Sequence, residues 1–305
     1  MKKVLLTLFI FSLTCICSDQ LFAQKKIKTM IVTGQEGAHW WEGGSDGLRQ
    51  ILVNSGLFSV DMAITPPRNE DISSFNPDFK KYDLVVFSYG GKTFSEKTRK
   101  SFEEYVANGG GVVLVHASVI PFSDWPAFNE IAGMGGWGGR NEKDGPYVYW
   151  KEGRIVYDYA PGSSGYHGLQ HSFTITHRQP DHPILKGLPV EWLHFKDELY
   201  AKMRGPAKNM QVLATTYDVK GDNTRHEPML WTVNYGKGKV FVTLMGHAGN
   251  DPELRYSMEC TGFQVTLLRG AEWAATGQVT QEVPEDFPSK GVTTLRKGFK
   301  VPDNL

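Results

Sequence analysis

The chain has 305 residues, and its 33 Lys and Arg balance 33 Asp and Glu, giving a formal charge of zero. The basic residues are scattered, which removes the electrostatic footprint of a nucleic-acid binder. After the N-terminus no segment is apolar for the roughly 20 residues a membrane helix needs. A chain of this size can bury roughly 75% of its unfolded surface and needs no disulfide or metal staple to fold.

Met1, Lys2 and Lys3 precede an apolar run from Val4 to Cys17, and Leu21-Phe22-Ala23 comes before Gln24. This is the layout of a secretory signal peptide over residues 1–23, too short to span a bilayer. The mature protein is therefore expected to begin at Gln24 and to be soluble, in the periplasm or secreted. A lipoprotein signal at Cys15 or Cys17 is the alternative, although neither cysteine follows the usual small residues. Cys260 is then left without an intramolecular partner and is expected to be a buried, inert thiol.

Ile27 to Thr33 reads as a buried first strand ending at Gly34. Ser45 stands as an N-cap before Leu48, Ile51 and Leu52, in a helix closing near Asn54-Ser55-Gly56. Phe58 to Ile64 and Tyr82 to Ser88 read as the next strands, and strand, helix, strand implies a right-handed crossover and a parallel sheet. Thr93 and Glu96 have capping-box spacing ahead of an apolar face made by Phe102, Tyr105 and Val106, and Gly109-Gly110-Gly111 stops that helix. Val112 to His116 follows as a central strand, so His116 lies at a carboxyl end, outside which open parallel sheets bind their ligands.

From Met134 to about Tyr217 the pattern turns to Gly, Trp and Tyr with short alternating runs, a β-rich insertion expected to ride over the sheet edge. Trp231–Tyr235 and Val240–Leu244 flank Gly236-Lys237-Gly238-Lys239 as a hairpin that delivers Gly246-His247 to a strand end. A last helix carries Phe263, Leu267, Leu268 and Trp273. One α/β domain over residues 24–282 and an extended tail over 283–305, marked by Pro284 and Pro288, are expected.

The order of motifs resembles the trehalose-utilisation (ThuA-like) family. The matching pieces are Gly37-Ala38-His39-Trp40, Val115-His116-Ala117, Asp181-His182-Pro183-Ile184, Asp197-Glu198-Leu199-Tyr200, Gly246-His247 and Glu272-Trp273-Ala274. The resemblance implies a flavodoxin or class I glutamine amidotransferase-like fold, in which a nucleophilic cysteine sits on a sharp turn after a central strand. Here that strand runs into His116-Ala117-Ser118, and Ser118 lacks the Gly-x-Ser-x-Gly surroundings of a hydrolase elbow. Amidotransferase chemistry is not expected, and Ser118 reads as a helix cap or loop hydroxyl.

Three histidines, His39, His116 and His247, fall just after predicted strands, and Glu198 joins them from the insertion. Such a set could hold a zinc-like divalent metal through the three imidazoles, or divide acid and base roles without one. A backbone-bonded core histidine, or for Glu198 an ion pair with Lys196 or Lys202, is the competing reading. His182 reads as a turn organiser. Trp40, Trp41, Trp137 and Trp150 lie in or near glycine-rich loops where an indole face can stack on a pyranose, Trp40, Trp41 and Trp137 being the candidates for ligand contact. Trp192, Trp231 and Trp273 read as core. The resemblance implies a small-molecule carbohydrate partner and action on a sugar or 3-keto-glycoside, by acid/base isomerisation or elimination; a non-catalytic glycan-binding subunit is the alternative.

Overall fold

The computed structural model describes residues 25–35, 39–217, 225–249 and 256–298; the expected signal peptide and the Gly37-Ala38 motif lie outside them. Strand β1 (Ile27–Thr33) is buried without interruption from Thr29 onward, as a strand covered on both faces must be. It pairs in parallel with β2 (Phe58–Ile64) on one side and β3 (Leu84–Phe87) on the other. β3 pairs in parallel with β4 (Gly111–Val115), and β4 with β11 (Gly238–Thr243).

Helix α1 (Trp41–Asn54) begins a turn earlier than its sequence pattern suggests. Ser45 is not its cap: its hydroxyl lies inside the helix and donates to the Trp41 carbonyl at 2.7 Å. The adjacent Gly43 and Gly44, which read as loop, allow the early start, because the Trp40 ring occupies the space a Cβ on Gly43 would need. Helix α2 (Glu96–Ala107) is capped by Ser95, whose hydroxyl accepts from Thr98 N. The Thr93 hydroxyl turns away to Asp124 at 3.0 Å, so the expected Thr93–Glu96 box does not form. The expected apolar face of α2 is buried. Helix α3 (Pro126–Ala132) follows.

The region expected as a separate insertion is instead part of the same sheet. β7 (His171–His177), β8 (Glu191–Asp197), β9 (Met210–Tyr217) and β10 (His226–Tyr235) extend it, all antiparallel, in the order β2-β1-β3-β4-β11-β10-β9-β7-β8. The hairpin β5 (Tyr147–Lys151) and β6 (Arg154–Asp158) branches from β10 where His226 meets Trp150.

A flat sheet would hold β8 four strand spacings from β11, roughly 19 Å. The last helices close that distance. After α4 (Tyr256–Glu259), α5 (Thr261–Thr276) packs against β4, β11 and β8 together. Phe241 of β11 lies against Gly270, and Trp192 of β8 against Gly262. The sheet thus curls around α5, which brings its last strand, β8, back toward β4 and β11. The tail seals the seam, with Leu193 N donating to Ser289 O and Arg296 N to Glu259 O. Cys260 is buried, as expected, beside His194. Trp192, Trp231 and Trp273 are core. No described helix is long and apolar enough to cross a membrane.

Candidate functional site

Each imidazole of the predicted set follows a parallel strand. His39 lies between β1 and α1, His116 directly follows β4 and His247 follows β11, while Glu198 is the first residue beyond β8. The curled sheet brings all four together. Glu198 Oε2 lies 3.3 Å from His247 Nδ1, 3.5 Å from His116 Nε2 and 3.7 Å from His39 Nε2. His247 Nδ1 and His116 Nε2 are 3.3 Å apart. Glu198 therefore pairs with the imidazoles, and an ion pair with Lys196 or Lys202 is not what holds it.

The tautomer of His116 follows from its second contact. Its Nδ1 is 2.7 Å from the Leu244 carbonyl, which can only accept, so Nδ1 carries the proton. Nε2 of the neutral ring then offers only a lone pair toward Glu198 and His247, and either a proton on His247 Nδ1 or a bound cation would reconcile these groups. Burial is the largest influence on His116 and lowers its pKa, favouring the neutral ring although Glu198 opposes this. Burial pushes Glu198 up, but the imidazoles of His116, His247 and His39 gathered around it outweigh this and hold the carboxyl well below its usual range.

One ligand atom from each of the four residues lies within 4.8 Å of the other three. A tetrahedral ion with bonds of about 2.1 Å spaces its ligands about 3.4 Å apart, so the cluster is near the dimensions of a metal site. Three imidazoles and a carboxylate suit a borderline divalent ion. The residues present could therefore hold a metal.

His116 and Trp137 adopt left-handed backbone, φ 48° and 53°, strain of the kind that collects at functional sites. Gly246, at φ 106°, has no room for a Cβ, which would lie 2.7 Å from the Phe263 ring. With His116 buried behind them, His39, Glu198 and His247 of the cluster line a cleft of about 430 Å³. Its walls include Trp137 and Tyr200, whose rings meet edge to face at 4.7 Å, and Tyr200 also lies against His116 at 4.4 Å.

Of the candidate tryptophans only Trp137 reaches the cleft. Trp40 folds over Gly43, and Trp41 opens α1 with its carbonyl bonded to Ser45; neither lines the cleft. Trp150 packs under the Arg178 guanidinium at 4.8 Å. Ser118 lies within a short 3-10 helix (His116–Val119), its hydroxyl donating to Phe87 O and accepting from Tyr89 N. His182 organises its turn, accepting from Ile184 N.

Among the cleft residues outside the sequence candidates, three carry polar side chains: Tyr200, His167 and Arg68. Arg68 follows β2, so the carboxyl-end rule that singles out His116 applies to it too. Tyr200 is two residues beyond Glu198. His167 occupies a glycine-flanked loop with no periodic signal at all.

Fold and site together define a mixed α/β protein with a His/Glu cluster able to hold a metal at the carboxyl ends of its parallel strands. The sequence matches the trehalose-utilisation family ThuA over residues 28–274, and the chain belongs to that family. It is similar to a ThuA-like protein from Parabacteroides merdae, 51% identical, with a TM-score of 0.86 over 89% of this chain and 98% of that one. A ThuA-like protein from Bacteroides uniformis shares the fold at 18% identity, with a TM-score of 0.53 over 85% of this chain and 95% of that one. No curated protein matches the sequence.

Proposed function

We propose that this protein is an enzyme of carbohydrate catabolism that moves a proton beside a carbonyl of a sugar or 3-keto-glycoside, in an isomerisation or elimination, with a divalent metal held by His39, His116, Glu198 and His247. The observation that carries this reading is the convergence of three imidazoles and a carboxylate around one point, with the His116 proton committed to Leu244 on the far side of its ring. Membership of a trehalose-utilisation family supports the substrate class. We also read the parallel strands as the class I glutamine amidotransferase-like arrangement, emptied of its nucleophile.

A divalent ion here would polarise a carbonyl oxygen and acidify the neighbouring C–H. The protein's own residues do the rest. Trp137 and Tyr200 offer aromatic walls for the apolar face of a pyranose. Arg68 brings a cationic donor to the cleft. His167 Nδ1 faces the Gly168 carbonyl at 3.0 Å and donates to it, which leaves Nε2 of the neutral ring able to accept a proton.

The test is metal analysis together with turnover of 3-keto-glycosides. Near-stoichiometric divalent metal is expected, with occupancy falling as pH drops through about 6 because ligation needs neutral imidazole. His116→Ala and Glu198→Gln should each lower turnover at least a hundredfold, roughly the scale of lost acid/base catalysis. Wild-type turnover in both folded variants would sink the reading and promote the glycan-binding alternative. Activity that survives a chelator but follows a histidine pH profile would remove the metal and keep the acid/base chemistry.

A further inference from the structure

Behind the cluster lies Asp197, completely buried, whose carboxylate accepts four hydrogen bonds from within the protein. Oδ2 accepts from His194 Nε2 at 2.7 Å and from Gly246 N at 2.8 Å. Oδ1 accepts from Glu198 N at 2.7 Å and from His247 N at 3.3 Å. The backbone N–H groups of Glu198 and His247, which arrive from β8 at the far end of the antiparallel half and from β11 in the parallel half, are thus drawn onto one carboxyl group. His194 is also completely buried; it reaches Asp197 from the same strand and holds its rotamer.

We propose that Asp197, oriented by His194, is a positioning residue that sets the spacing between Glu198 and His247 and hence the affinity and geometry of the metal cluster. The proposal rests on reading that cluster as a metal centre. The physical reason is stiffness. A carboxylate with two donors on each oxygen has no spare acceptor direction and, in a dry interior, no water to replace a lost partner. The Gly246–His247 turn is otherwise a glycine-hinged loop end. Without the clamp the His247 ring and the Glu198 carboxylate would still be present, but their separation would no longer be specified. Partners of this kind, one step behind the ligands, typically govern metal affinity.

Asp197→Asn tests this because it preserves shape but puts an NH₂ where one oxygen accepted two N–H donors. The probe is Co(II), added to metal-free protein whose folding is verified by circular dichroism and thermal unfolding. The variant is expected to bind Co(II) about tenfold to a hundredfold more weakly, with an altered visible absorption band, since that band reports ligand geometry. In the metal-free protein, amide exchange at Gly246 and His247 is expected to quicken at least about tenfold, while exchange at Val113 in the core stays unchanged. His194→Gln, which retains a donor toward Asp197, should shift both readouts the same way by less.

Folded Asp197→Asn with wild-type Co(II) affinity and spectrum overturns the proposal. If Asp197→Asn does not fold, His194→Gln decides by the same readouts, and wild-type values in it overturn the proposal. If the wild type itself binds no Co(II), the metal reading fails, and unchanged exchange at Gly246 and His247 would reject the clamp separately.

Discussion

The two halves of the sheet divide the work of the site. The parallel half, β2-β1-β3-β4-β11, supplies all three imidazoles, each just past the carboxyl end of a strand. The antiparallel half supplies Glu198 and, with its connections, Trp137, His167 and Tyr200. Its contribution depends on distance: β8 is remote from β11 in strand order and reaches the imidazoles only because both pack on α5. The parallel half brings the three imidazoles to one edge by its own strand order. Glu198 and the aromatic walls of the cleft require the curl.

The sharpest way to break this division is at the contact that makes the curl. Trp192 is fully buried and reaches from β8 to Gly262 of α5. Trp192→Ala should cost about 3–5 kcal/mol in stability. It should also weaken Co(II) binding where the protein is still folded, because β8 leads directly into Glu198. Phe79 is equally buried and packs on Phe102 and Tyr105 in the parallel half. Phe79→Ala should cost a similar amount but leave Co(II) affinity within about twofold, as expected of distant, independent sites. Urea titrations paired with metal titrations separate the cases; equal loss of affinity in both variants would show that the curl is not what places Glu198.

A smaller effect is expected at the wall of the cleft. Trp137→Ala should raise KM for a keto-glycoside by about tenfold, the loss of roughly one aromatic contact, with kcat changed much less. A drop in kcat with KM unchanged would assign Trp137 to the chemistry and not to substrate binding.

The smallest effect concerns pH. Burial depresses His182, which lies against Trp273 of α5, to about 4. The unfolded chain therefore binds more protons between about 6.5 and 4, and this contribution, present above 6.5, is lost as pH falls through that window. His182→Asn keeps an acceptor for Ile184 N and should flatten that part of the acid loss, read from urea midpoints between pH 7 and 4.5. His194 runs the other way. Burial works against its charge but is outweighed by Cys260 and Asp197, which raise it to about 10. Its contribution is full below about 6.5 and fades toward 10, so it does not mask the His182 signal.

Much of the parallel half is legible in the sequence, because a strand covered on both faces must be apolar throughout and its helices must show one apolar stripe. Ile27–Thr33 follows from that requirement at the residues where the structure has it, while the edge strand Phe58–Ile64 and the hairpin at Gly236-Lys237 follow from alternation and turn residues. The same logic places His39, His116 and His247 at strand ends, and the Asp197-Glu198 motif adds the carboxylate. Local pattern fails where a distant group decides. Gly43 and Gly44 read as loop until the Trp40 ring takes the missing side-chain space, and Thr93 reads as a cap until Asp124 takes its hydroxyl.

Periodicity by itself determined the strands of the parallel half and the helices after β3 and at the end of the domain, and with them that three histidines follow strand ends, because burial on a face is a property each segment carries in its own residues. Only the tertiary structure decided that β7, β8 and β9 continue the sheet, that the sheet closes on α5, that Trp137 and not Trp40 or Trp41 lines the cleft beside the His/Glu cluster, and that Asp197 ties Glu198 to His247. Those outcomes depend on packing between residues tens of positions apart, through contacts such as Trp192 on Gly262 and Gly246 N on Asp197, and no local pattern encodes which distant surfaces will meet.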